Sequence, residues 1–108
     1  MSYSIYTLPP FDRQVKKLSK KYHSLKDDLV ALGSVLAINP RTGIPLGKDC
    51  YKVRMPITSK GKGKRGSARV ITHVYIRESS VYLLAIFDKS QQADISDKEI
   101  RELLEMIQ

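Results

Sequence analysis

The sequence predicts an α+β domain in the order β-α-α-β-β-β-α, an antiparallel twisted sheet with a helical hairpin packed on one face. Three observations predict it. Two apolar stripes at helical spacing stand side by side in the first forty residues. Strand-forming runs follow, separated by Gly, Pro and Ser. A helix-capping pattern then precedes a last amphipathic stripe. At 108 residues the chain has room for one domain, spanning 1–108, around one core.

Each element has its own reason. Tyr3 to Leu8 is rich in strand formers and stops at Pro9-Pro10. Proline in the first turn of a helix lacks only an N–H that would be unpaired anyway, so a helix starts there. Phe11, Val15, Leu18 and Tyr22 give it one apolar stripe, and Arg13, Lys16, Lys17, Lys20 and Lys21 give it a charged one. Ser24 is the expected N-cap of a second helix, with Asp27 in the favourable first turn. Its stripe is Leu25, Leu29, Leu32 and Leu36, supported by Val35. Gly33 weakens that helix by roughly 1 kcal/mol relative to alanine, which suggests close packing against a neighbour. Asn39-Pro40 ends it, since the residue before proline resists helical dihedrals.

Arg41 to Gly47 reads as a loop. Tyr51 to Met55 alternates, with Tyr51, Val53 and Met55 on one face and Lys52 and Arg54 on the other. Ser59 to Ser67 is a glycine- and lysine-rich connection. Arg69 to Arg77 is a β-branched strand with Arg69, Ile71, His73 and Tyr75 on one side, and after a turn at Glu78-Ser79-Ser80 comes the most apolar strand, Val81 to Phe87. Ser96 and Glu99 have the spacing of a capping box, and Ile100, Leu103, Leu104 and Ile107 form the last stripe.

Composition narrows the function. An apolar fraction of 42% with 28% charged residues is that of a folded soluble protein rather than a disordered tail. No apolar run approaches the ~18 residues needed to cross a bilayer, Met1 to Pro10 has no signal-peptide pattern, and the lone Cys50 excludes an internal disulfide. A cytoplasmic protein is the expectation. The net charge is +8, and Lys48, Lys52, Arg54, Lys60, Lys62, Lys64, Arg65 and Arg69 are opposed between 48 and 69 only by Asp49. Eight positive charges less one leaves +7 in that segment, nearly the whole excess. A field so concentrated favours a polyanion: RNA, DNA or an acidic protein.

Familiar constellations are missing. Gly61-Lys62-Gly63-Lys64 lacks the spacing of a phosphate-binding P-loop. One Cys and two separated histidines, His23 and His73, offer no metal cluster, so neither metal nor cofactor is expected. A cationic surface can nevertheless cleave RNA, because the substrate brings its own nucleophile, the ribose 2′-OH. The protein must hold that oxygen in line, neutralise the charge growing on the phosphorane and move two protons. Arginine suits the second task, since its fork meets two phosphate oxygens at once. Lysine, tyrosine or histidine can serve the third.

The run Tyr51-Lys-Val-Arg54, the strand opening Gly66-Ser-Ala-Arg-Val-Ile71, and Phe87-Asp-Lys-Ser90, in this order behind a paired-helix hairpin, resemble the RelE-type toxins of bacterial toxin–antitoxin systems. The resemblance runs from Phe11 to the last helix. It implies a ribosome-associated mRNA endonuclease, metal-independent, neutralised by an acidic antitoxin that wraps the toxin. It also implies an active site of basic residues on the sheet face and near the end of the last strand. Carried over, Lys52 and Arg54 match the basic pair of one strand, Arg69 opens the next, and Lys89 follows the last. Arg54 and Arg69 are then expected to clamp the scissile phosphate, Lys89 to serve the leaving 5′-oxygen and Lys52 to help activate the 2′-OH. Lys60, Lys62, Lys64, Arg65, His73 and Phe87 are the further candidates for RNA contact, His73 being either a structural residue or a proton carrier. The chain departs from some members of the family in having no tyrosine after Phe87, and from the shortest in its longer, more basic Lys60–Arg65 loop. Phe87 can stack on a base but cannot transfer a proton. Two alternatives remain: a ParE-like poison of DNA gyrase with the same fold, and a binding module without catalysis.

Overall fold

The computed structural model describes residues 2–60 and 66–107. Its elements are β1 (Ser4–Thr7), α1 (Pro9–Lys21), α2 (Leu25–Ile38), β2 (Ile44–Gly47), β3 (Cys50–Pro56), β4 (Ser67–Tyr75), β5 (Ser80–Asp88) and α3 (Asp97–Leu104). Short 3₁₀ turns at Thr58–Lys60 and Ile76–Glu78 follow β3 and β4. The five strands form one sheet in the order β1-β5-β4-β3-β2. Three of the pairings are antiparallel, whereas β1 runs parallel to β5, so the sheet is mixed rather than wholly antiparallel.

One strand is additional to the sequence expectation. Ile44–Gly47, expected as loop, pairs with β3 through Ile44↔Lys52, Pro45↔Tyr51 and Gly47↔Cys50. Pro45 is tolerated because β2 is an edge strand, where a missing ladder donor costs little. Lys48 and Asp49 close this hairpin with φ of 54° and 58°, the left-handed pair that matches the twist of two antiparallel strands. Just before it, Gly43 has φ of 106°, and a Cβ there would lie 2.5 Å from the Lys52 carbonyl oxygen. Glycine is required at this close approach of loop to β3.

The hairpin of α1 and α2 covers one sheet face. Phe11, Leu25, Leu32 and Leu36 are buried there against Tyr51, Val53, Met55, Val70, Val74, Leu83 and Ile86, with Val15, Leu18 and Leu29 packed at the edge. Val35 is the exception to its expected stripe and remains 47% exposed. A β-carbon on Gly33 would meet nothing within 4 Å, so close packing is not what places glycine there. The Ser24 hydroxyl does not cap α2. It donates to the Asp28 carboxylate at 2.9 Å and accepts the Ser59 N–H at 2.9 Å, tying α2 to the turn after β3.

The last helix takes the other face. Ser96 caps α3 by accepting the Glu99 N–H at 3.1 Å. Ile100 packs on Leu8, Ile71, Leu84, Ala85 and Phe87, with Leu103 and Leu104 beside it. Pairing jumps from Ile71↔Ala85 to Thr72↔Leu83, which leaves Leu84 as a bulge and turns both Leu84 and Ala85 toward α3. Among the described residues no helix is long and apolar enough to cross a membrane.

Candidate functional site

The side chains of a strand alternate between faces, so burying Tyr51, Val53 and Met55 under the helical hairpin sends Lys52 and Arg54 to the opposite face. Register then decides their neighbours. Arg54 lies directly across from Arg69, and Arg69 directly across from Phe87. Residues so paired have Cβ atoms about 4.5–5.5 Å apart, well within the span of two arginine side chains converging on one phosphate. Like charges in this position are destabilising. Among the described residues neither guanidinium has a carboxylate partner. Arg69 donates from Nη1 to the Ala68 carbonyl at a long 3.4 Å.

Lys52 and Lys89 each lie one row from this pair along the same face of the sheet. Lys52 occupies the next row along β3, opposite Ile71. Lys89 follows β5 and extends its ladder, its N–H donating to the Ser67 carbonyl at 3.3 Å. Being two residues beyond Phe87, it continues on the α3 side of the sheet. Both ammonium groups meet the segment that links β5 to α3. Lys52 Nζ lies 3.3 and 3.4 Å from the two oxygens of Asp94, and Lys89 Nζ donates to the Ala93 carbonyl at 3.0 Å. The Asp94 carboxyl is held below its ordinary pKa chiefly by the Ile95 N–H, with slight burial opposing and the charges of Lys52 and Lys89 adding. A carboxylate of the chain itself is thus paired with Lys52, and Lys89 is tied to the residue before it.

The other sequence candidates fall elsewhere. Phe87 is 6% exposed under α3 and offers no ring face to a base, contrary to the expectation of stacking. His73 lies opposite Cys50, four residues or about 13 Å along β4 from Arg69. Its Nδ1 is 3.6 Å from the Cys50 sulfur, and burial pushes its pKa down, so it is a neutral ring apart from the cation row. Lys62, Lys64 and Arg65 lie outside the described residues.

Lys60 is not a solvent-facing cation. Its Nζ sits 3.2 and 3.4 Å from the two oxygens of Asp88 and 5.0 Å above the Tyr22 ring, on the hairpin side of the sheet. Asp88 itself is buried and also accepts the Tyr22 hydroxyl at 2.6 Å, the Ser90 N–H at 3.0 Å and the Ser90 hydroxyl at 2.8 Å. Burial alone would raise the pKa of this carboxyl, but the Tyr22 and Ser90 donors and the Lys60 ammonium bring it down to about 2. It is a charged carboxylate inside the fold. Sequence reasoning missed Asp88, Tyr22 and Asp94. Only the Asp-x-Ser spacing of Asp88 and Ser90, a common turn signal, was available to find the first.

Strand register thus sets Arg54 beside Arg69 at one end of the sheet, with Lys52 one row along β3 and Lys89 one row beyond Phe87. Comparison with solved structures bears on this arrangement. The fold is similar to that of the E. coli toxin RelE, solved in the free state with two arginine-to-alanine substitutions, at a TM-score of 0.67, 15% identity and full coverage of both chains. It is similar to a chain of the RelBE2 toxin–antitoxin complex of Mycobacterium tuberculosis, at a TM-score of 0.60 and 19% identity over 82% of this chain and 99% of that one. A chain of the intact E. coli RelBE toxin–antitoxin complex matches at a TM-score of 0.51 and 20% identity, over 79% and 94% of the two chains. At these identities the likeness is one of fold. A sequence model of the RelE toxin of the RelE/RelB toxin–antitoxin system matches residues 11–108. The protein therefore belongs to the RelE family of toxins of toxin–antitoxin systems.

Proposed function

We propose that this toxin is a metal-independent endoribonuclease that cuts mRNA on the ribosome in the cytoplasm. The observation that carries the reading is the placement of Arg54 directly across from Arg69 with no carboxylate partner among the described residues. Such a pair costs stability in the free protein, and an anion bound between the two side chains relieves the repulsion. In the reaction the ribose 2′-oxygen attacks the adjacent phosphorus and the bond to the 5′-oxygen breaks. This leaves a 2′,3′-cyclic phosphate and a 5′-hydroxyl. Arg54 and Arg69 hold the phosphorane oxygens, the 2′-proton passes to solvent while the Lys52 ammonium stabilises the charge left on the 2′-oxygen, and Lys89 donates a proton to the leaving 5′-oxygen. Lys62, Lys64 and Arg65 add attraction for RNA phosphates by charge alone.

An acidic antitoxin is the expected partner. Similar solved chains occur in toxin–antitoxin complexes. The surface of α2 supports the same reading: Val30 and Ile38 are 70% and 73% exposed, and a groove of about 300 Å³ is lined by apolar Ala31, Leu32, Val35, Met55 and Pro56, with Arg54, Asp28 and Thr58 also in its wall. An amphipathic segment with apolar anchors and acidic flanks fits such a groove.

The test is to incubate translating mRNA and ribosomes with the purified protein. Cleavage is expected, reduced about 10²–10³-fold in Arg54→Ala or Arg69→Ala, the usual cost of removing one transition-state donor, with the variants still folded. Intact mRNA together with gyrase inhibition would instead make the protein a ParE-like poison. Weaker RNA affinity in the variants, with no cleavage step to lose, would make it a binding module.

A further inference from the structure

The reaction just outlined leaves Asp88 without a part, although this carboxylate is built into the fold with unusual care. It sits at the last position of β5, on the hairpin side of the sheet, while the residue after it falls on the opposite face, that of Arg54 and Arg69. Its Oδ1 accepts the N–H of Ser90 two positions on, which makes an Asx-turn whose central residue is Lys89. The Asp88 carbonyl accepts the N–H groups of Gln91 and Gln92 at 2.9 and 3.0 Å, and the Lys89 N–H is bound to Ser67. Lys89 is therefore held by its own N–H and by the turn on either side. The turn is in turn anchored through Asp88 to the end of α1 by Tyr22 and to the turn after β3 by Lys60.

We propose that Asp88 is a positioning residue, fixing Lys89 beside Arg54 and Arg69 through its Asx-turn with Ser90. Two physical arguments support this beyond ordinary packing. A buried ion pair seldom stabilises a fold more than apolar residues of the same volume, and its best-attested benefit is to specify one geometry. The geometry specified here is one that electrostatics resists, since Lys89 must stay near two guanidiniums on an exposed turn. The Asx-turn, fixed from the other side of the strand by Tyr22 and Lys60, holds the backbone of Lys89 in place against that repulsion. Lys60, which looks in the sequence like one more RNA-binding cation, then serves as the counter-ion that keeps Asp88 charged in its buried position.

The inference rests on the nuclease reading for its functional part and on geometry alone for the rest, so the experiment has two arms. The first compares amide hydrogen exchange in the full chain and in Asp88→Ala, without RNA. Lys89 and Ser90 are expected to exchange at least tenfold faster in the variant while β4 amides stay protected. The second arm measures steady-state cleavage. Asp88→Ala should lower kcat at least tenfold with KM within twofold, and should lower it no further in a Lys89→Ala background. Asp88→Asn keeps an oxygen for the Ser90 N–H but loses the ion pair with Lys60, and should recover only part of the loss. Should Asp88→Ala not fold, Ser90→Pro, which removes the turn's donor at an exposed position, takes its place, with exchange read at Lys89 alone because proline carries no amide proton. Unchanged exchange at Lys89 and Ser90 overturns the proposal, as does an equal fall in kcat with and without Lys89. If the wild-type protein cuts no RNA, the nuclease reading fails and the exchange arm alone decides the positioning of Lys89.

Discussion

Replacing Tyr22 by Phe removes one oxygen and leaves the ring that Lys60 covers. The lost contact is a hydroxyl donating to a buried, ionised carboxylate at 2.6 Å. Hydrogen bonds to charged groups contribute about 1.5–3 kcal/mol net. Because Lys60 and Ser90 still serve Asp88, the carboxylate is not orphaned and the cost should be about 2 kcal/mol, or roughly 8 °C or more in Tm for a domain near this size. The same bond sets a pH dependence. With Asp88 at about 2 in the fold and an ordinary value of 3.8, the unfolded chain binds more protons between those pH values. The network's contribution, about 2 kcal/mol, is thus fully present above about pH 4–5 and is lost as pH falls through the folded value. The Tyr22→Phe penalty should accordingly be full at pH 7 and clearly smaller at pH 3. Urea unfolding followed by circular dichroism at both pH values measures it. A penalty under about 0.5 kcal/mol at pH 7, or one that persists unchanged in acid, would refute the charged-network account.

Two further outcomes follow from the geometry. Asp94→Asn should free Lys52 from its internal carboxylate and tighten binding of a non-cleavable RNA about 1.4- to 5-fold, the value of an exposed ion pair, read by fluorescence anisotropy. Unchanged or weaker binding would show that Asp94 does not compete with phosphate. Gly43→Ala should destabilise by about 1–3 kcal/mol, because its Cβ has both a left-handed φ and the Lys52 carbonyl against it. A neutral effect in thermal unfolding would contradict the close approach.

Much of the fold is legible in the residues because the signals are local. Phe11, Leu25, Leu32 and Leu36 repeat at helical spacing and are buried as a stripe, and Ser96 caps its helix with the expected bond to Glu99. The failures have local causes too. β2 is four residues long and contains Pro45, too short for alternation to appear, and it exists because the edge of β3 offers it a ladder. Ser24 has the composition of a cap, yet Asp28 and Ser59 compete for its hydroxyl. For the site, residue types were legible and addresses were not. Lys60 reads as one cation among several, but Asp88 lies twenty-eight positions away in sequence and takes it out of solvent. Phe87 reads as a stacking ring until α3 covers it.

What the sequence determined by itself is therefore the class of the fold, the +8 charge and its concentration between 48 and 69, since composition, periodicity and turn chemistry are properties of neighbours along the chain. Only the tertiary structure decided that β1 joins in parallel, that Arg54 faces Arg69, and that Tyr22, Lys60 and Ser90 converge on Asp88. Those are contacts between residues far apart in sequence, set by strand register and by which face each helix covers, and no local pattern encodes them.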